Sequence, residues 1–209
     1  MIIEKNLFFP EVLIITPEIF RDSRGYFFES YNKKIFEKKI IKTQFMQDNQ
    51  SHSKKGVLRG LHYQKKPHEQ AKLVRVLKGE IFDVVVDVRK NSKKFGKWIS
   101  VKLNSENKKQ LWIPKGFAHG FVVTSQKADV LYKTDDLYSK DCEVSIDPFD
   151  PFININWPKN LKFNLSKKDK NAKQLEYNYF TVYEDLKKLN ENKNFLNNSY
   201  LKIKKLLKL

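Results

Sequence analysis

The amino-acid sequence predicts a mainly β protein, a sandwich or barrel of short strands followed by a short helical C-terminal extension. Between Val57 and Tyr138, short apolar and β-branched runs recur, punctuated by Gly, Pro and Asn. After about Asp169 the apolar spacing changes to that of a helix. A chain of 209 residues is long enough for one domain with a substantial core and an appendage. The change of character divides it into 1–170 and 171–209.

In chain order, residues 35 to 41 are expected to form one short helix. Val57-Leu58-Arg59-Gly60-Leu61-His62-Tyr63-Gln64 reads as a strand, with Arg59 and Leu61 on one face and Gly60, His62 and Gln64 on the other. Leu73 to Leu77 and Ile81 to Val88 read as two more, joined by Lys78-Gly79-Glu80 as a hairpin. Trp98 to Leu103 alternates, Asn104 to Asn107 supplies turn chemistry, and Gln110 to Ile113 follows. Gly120 to Thr124 and Val130 to Thr134 complete the set. In the tail, Tyr183 to Asn190 and Phe195 to Leu209 read as helices. The last has Leu196, Tyr200, Ile203 and Leu207 at helical spacing and Lys on its other faces. Its apolar stripe suits docking on the barrel or a second subunit; a basic amphipathic helix can also lie on a membrane.

The net charge of +17 raises the question of nucleic acid. Only five of the 41 basic residues are Arg, so 41 − 5 leaves 36 Lys scattered along the chain. Sequence readers rely on Arg for bidentate contacts, so a small anionic substrate fits this charge better. No apolar run is long enough to span a membrane. The N-terminus lacks the charged, apolar and small-residue succession of a secretory signal, and the lone Cys142 excludes an internal disulfide. A cytoplasmic protein is expected, binding neither nucleic acid nor membrane.

The most informative local pattern is Pro114-Lys115-Gly116-Phe117-Ala118-His119. It resembles the second motif of cupin barrels, where the His often binds a metal. The first motif needs a His-x-His pair, and this chain has His62-Tyr63-Gln64 instead. A ligand set of imidazoles and carboxylates is thus incomplete, and no metal is expected. On residue type alone, His62 is a strand histidine, Lys72 a strand-start lysine and Tyr132 a core aromatic.

Several longer runs change that reading. They are Arg21-Asp22-Ser23-Arg24-Gly25-Tyr26-Phe27-Phe28-Glu29, Gln47-Asp48-Asn49-Gln50-Ser51, Arg59 to Gln64, Gln70 to Val76, Gln110 to Phe121, Leu131 to Thr134 and Leu165 to Asp169. In order and at consistent spacing, they resemble the dTDP-4-dehydrorhamnose 3,5-epimerase family over about residues 1–170. The resemblance implies a cupin jelly-roll barrel (a double-stranded β-helix), no cofactor, and a homodimer acting on a nucleotide sugar. It implies His62 as general base oriented by Asp169, Tyr132 as acid on the opposite face of the sugar, and Lys72 beside the enolate oxygen at C4. Arg59 and His119 would contact the substrate near the diphosphate or ring. Arg24, Glu29, Gln47, Asn49, Glu143 and Lys168 would make further substrate contacts. Tyr26, Phe27 and Tyr138 are candidates for stacking on the base.

The residue types suit the chemistry. A ketone at C4 acidifies the hydrogens on C3 and C5, because the carbanion delocalises onto oxygen. An imidazole has a pKa suited to take such a proton, and an ammonium stabilises the charge that develops. Related alternatives remain: inversion at C3 only, another nucleotide-linked substrate such as a GDP-4-keto-heptose, or a non-catalytic sugar-binding cupin.

Overall fold

The computed structural model describes residues 1–176. The chain forms β1 (Ile2–Lys5), β2 (Leu13–Thr16), β3 (Phe20–Asp22), β4 (Gly25–Phe27), α1 (Lys33–Lys39), β5 (Gln47–Lys54) and β6 (Leu58–Gln64). There follow β7 (Lys72–Lys78), β8 (Glu80–Asp87), β9 (Trp98–Asn104), β10 (Gln110–Ile113), β11 (Phe117–Val123), β12 (Lys127–Thr134), β13 (Glu143–Ser145) and α2 (Lys167–Lys170). One sheet has the order β1-β2-β10-β7-β12-β5, a second β13-β6-β11-β8-β9, and β3-β4 is a separate hairpin. All named strand pairs are antiparallel.

The core lies between the two sheets. Val74, Val76, Leu111, Ile113 and Val130 come from one, and Ile81, Val85, Leu103, Phe117 and Phe121 from the other. Both outer faces are also covered. Val84, Val86, Ala118 and Val122 pack under Ile153, Trp157 and Leu175. Leu13, Ile15, Leu73 and Trp112 pack under Phe36 of α1. Burial on two faces explains why β8 and β11 are near-continuous apolar runs instead of clean alternations. Met1–Leu175 form one compact unit. The helices expected over residues 183–190 and 195–209 lie outside the described residues.

The expected hairpin between Leu73–Leu77 and Ile81–Val88 does not form. β7 pairs with β10 and β12, while β8 pairs with β11 and β9, so Gly79 carries the chain from one sheet to the other. A strand–Gly–strand pattern is the same locally for a hairpin and for such a corner. Helix α1 starts earlier than expected, because the Asn32 side chain caps it by accepting from the Ile35 N–H at 3.1 Å.

Strict alternation along β6 also fails. His119 lies opposite His62 and Phe121 opposite Arg59, so two steps on β11 span three on β6. The extra residue is a bulge, and it brings Arg59 and His62 to the same face. Gly60 makes room for it: it has φ +105°, and a Cβ there would sit 2.6 Å from the His119 carbonyl oxygen.

Gly79 has φ +79°, and a Cβ on it would collide with the Lys127 carbonyl. The left-handed conformation alone costs an L-residue about 1–2 kcal/mol. Gly79→Ala is therefore expected to lower the thermal midpoint by at least about 2 °C; an unchanged melt would contradict this account of the corner.

Candidate active site

A cavity of about 670 Å³ opens at one end of the sandwich. Both sheets furnish it: Arg59 and His62 from β6 and His119 from β11 on one side, Lys72 from β7 and Tyr132 from β12 on the other. Glu143, Ser166, Lys168 and Asp169 close it from β13 and around α2. With Tyr138, which also lines it, nine of the sequence-identified residues thus meet in one place.

The His62 Nε2 lies 2.6 Å from Asp169 Oδ1. The other carboxylate oxygen accepts from the Ser166 hydroxyl at 2.9 Å, and Ser166 Oγ in turn accepts from the Asp169 N–H at 3.1 Å, capping α2. This one-turn helix serves as a bracket for the carboxylate. Burial would raise the Asp169 carboxyl, but the His62 hydrogen bond and charge, Ser166 and Lys168 outweigh it and hold it below its ordinary value. An ionised Asp169 draws the imidazole proton to Nε2 and leaves Nδ1 unprotonated, the form a general base requires.

Lys72 is 8 % exposed, and its Nζ lies 3.4 Å from the His62 carbonyl oxygen and 5.9 Å from the Tyr132 ring centre. Burial pushes its ammonium down from 10.5 to about 8; Asp83 and Glu143 oppose that change and Lys168 adds to it. Burial likewise raises the Tyr132 phenol, with Arg59 opposing and Glu143 adding, so it keeps its proton at neutral pH. Glu143 is held below its ordinary value despite burial, because Lys168 (2.7 Å) and the Tyr138 hydroxyl (3.0 Å) both bond it. Arg59 Nε donates to Ser53 Oγ at 3.0 Å. Ser51 Oγ is the single buried side-chain polar atom among the described residues with no hydrogen-bond partner, and it lines this cavity.

Gln47 and Asn49 sit just outside that lining. Asn49 is directly opposite Tyr132 and Gln47 opposite Thr134, so both share the inner face of β5, and Gln47 Nε2 donates to Asn49 Oδ1 at 2.8 Å. Gln47 Oε1 also accepts from the Tyr138 N–H at 3.0 Å. Arg24 and Glu29 are not brought to the cavity within one chain. Arg24 is exposed on the β3–β4 hairpin and pairs with Asp22 at 2.5 Å, while Glu29 accepts from Asn32 Nδ2 at 2.7 Å beside α1.

Sequence reasoning missed Asp83, whose carboxylate takes His119 Nε2 at 2.9 and 3.0 Å with no exposure to solvent. The available signal was an Asp at the inward position between Ile81 and Val85. Among the described residues, no three His, Cys, Asp or Glu side chains converge as a metal-ligand set. Nor is any described helix long and apolar enough to cross a membrane.

A two-sheet jelly roll whose cavity holds a carboxylate-paired histidine, a buried lysine and a protonated tyrosine defines a cupin-fold enzyme of acid–base chemistry. The family model for dTDP-4-dehydrorhamnose 3,5-epimerase matches residues 6–177, and the chain belongs to that family. It is 54% identical over 173 residues to dTDP-4-dehydrorhamnose 3,5-epimerase of Shigella flexneri, covering 82% of this chain and 95% of that protein. The structure of the Legionella pneumophila enzyme in complex with dTDP-4-keto-L-rhamnose is 50% identical and aligns with a TM-score of 0.80, over 83% of this chain and 92% of that one. A 3′-monoepimerase of Streptomyces bikiniensis in complex with dTDP-quinovose is 30% identical, with a TM-score of 0.76 over 84% of this chain and 93% of that one.

The Lys72 ammonium has a folded value of about 8, below its ordinary 10.5. Between those values the unfolded chain binds more protons, so the cost of burying the charge is complete below about pH 8 and is relieved as pH rises. Lys72→Met is expected to gain stability on the order of 3 kcal/mol over wild type at pH 7, with the gap narrowing towards pH 10. Urea unfolding at the two pH values reads this; a gap that does not change with pH would contradict it.

Proposed function

We propose that the chain inverts C3 and C5 of dTDP-4-dehydro-6-deoxyglucose, giving dTDP-4-dehydrorhamnose. The carrying observation is that His62, paired with Asp169, and Tyr132 line one cavity from opposite sheets, with Lys72 between them in the same space. His62 Nδ1 takes the proton on carbon beside the C4 ketone. The electron pair of that C–H bond moves into the carbonyl, and the enolate oxygen is stabilised by the Lys72 ammonium. Tyr132 returns a proton to carbon from the other face, inverting it. Each cycle leaves the imidazole protonated and the phenol deprotonated, and exchange with water restores both. Inversion at the second carbon repeats the sequence. Family membership supports a dTDP-linked sugar as substrate, as do the complexes of the Legionella and Streptomyces relatives with dTDP-4-keto-L-rhamnose and dTDP-quinovose.

Arg59, His119, Glu143 and Lys168 suit the diphosphate and ring, and the unpartnered Ser51 hydroxyl suits a polar group of the ligand. The same reading takes the active form to be a homodimer. Phe20, Tyr26 and Phe27 on the β3–β4 hairpin are 57%, 53% and 69% exposed. A second copy would cover these rings, and it would give Arg24 and Glu29 a cavity to serve that their own chain does not bring to them. The free thiol of Cys142, the chain's one cysteine, suits the reducing cytoplasm.

Proton NMR of dTDP-4-dehydro-6-deoxyglucose in deuterated water tests the reaction. Deuterium is expected at both C3 and C5. In Tyr132→Phe, inversion should fall by about 10²–10⁴-fold, more than deuterium uptake does. Exchange at C3 alone would reduce the enzyme to a monoepimerase, and no exchange would overturn the reading.

A further inference from the structure

We propose that Asp83 is a positioning residue of this site: from beneath the cavity it fixes His119 and supplies the counter-charge that keeps Lys72 cationic. The inference rests on the epimerase reading, in which Lys72 must carry its charge to stabilise the enolate.

The placement of Asp83 carries the argument. It lies on β8 between Ile81 and Val85, whose side chains belong to the core between the sheets. Strand alternation therefore directs the Asp83 carboxylate into that core, where no part of it reaches solvent. An ionised group there is expensive unless it is paired and hydrogen-bonded. Its hydrogen-bond partner is His119 Nε2, and His119 is itself a wall of the cavity. A carboxylate placed only to stabilise the fold would not need a partner that faces the substrate.

Lys72 supplies the second half. The groups that face it are Asp83 from β8, Glu143 from β13, Lys168 from α2, the Tyr132 ring from β12 and the His62 carbonyl from β6. Of the two carboxylates, Glu143 already bonds Lys168 and the Tyr138 hydroxyl. Among the described residues, Asp83 has no ion-pair partner beyond His119. Burial holds the Asp83 carboxyl above its ordinary value, and His119 first and Lys72 after it pull against that rise. The two buried charges support each other across the gap between the sheets.

The test is the pH dependence of epimerisation by the full-length protein, with circular-dichroism melts to check folding. Wild type should lose activity as Lys72 deprotonates, with an alkaline limb at about pH 8. Asp83→Asn keeps the shape but removes the charge, and should move that limb down by about one unit or more. Asp83→Glu restores the charge and should return the limb towards pH 8, even if its melt is lowered. Should Asp83→Asn not fold, Asp83→Thr, a residue type that strands favour, is read the same way. A limb unmoved in the uncharged variants, with activity lowered equally at every pH, would overturn the inference while leaving the epimerase reading intact. Wild-type activity without an alkaline limb near pH 8 would remove its premise. A wild type that turns over no substrate would instead count against the reading beneath it.

Discussion

The hydrogen bond between His62 and Asp169 joins residues 107 positions apart in the sequence, and much of the molecule is arranged to make it. One partner needs a strand that presents the imidazole to a cavity; the other needs a carboxylate fixed at the same height. The sandwich core supplies the strand. The segment that covers the outer face of the five-stranded sheet, through Ile153 and Trp157, returns the chain so that Ser166 can start a one-turn helix beside β6. Without the bulge opposite His119, Arg59 and His62 would point to opposite faces, and one of them would be lost to the cavity.

Around that pair the protein tolerates costs that a purely structural core would avoid. Lys72, Asp83, His119 and Asp169 are all buried polar or charged groups at one end of the sandwich. Buried charges are usually neutral or unfavourable for stability even when paired. In the proposed reaction they are concentrated where charge would develop and be stabilised during proton transfer, and the apolar residues around them keep the local dielectric low. The apolar clusters, with Val74 and Phe121 between the sheets and Trp157 and Trp112 on the outer faces, bury the hydrophobic surface that favours folding.

How much of this is legible in the sequence depends on whether a residue faces a core or a cavity. Gln110–Ile113 was readable to the residue, since its turn and apolar content are local signals. Strand β5, with the sequence QDNQSHSK, was not, because its inward positions Gln47, Asn49, Ser51 and Ser53 face polar space and carry no hydrophobic period. The corner at Gly79 looked like a hairpin because sheet membership is set by distant partners. The bulge in β6 has no signature other than Gly60. The catalytic candidates became legible through the family resemblance over several linked runs, since His62, Lys72 and Tyr132 singly resemble ordinary strand residues. Asp83 stayed hidden in an apolar run, where an Asp passes for a solvent-facing alternate.

The central claim is that His62 and Asp169 act as one base. A double-mutant cycle tests it most directly, with the rate of deuterium uptake at C3 measured for wild type, His62→Ala, Asp169→Asn and the double variant. If Asp169 works only through His62, the double variant should lose no more than His62→Ala alone, about 10²–10⁴-fold. Losses that multiply would contradict the account, because Asp169 would then contribute to the reaction independently of the imidazole.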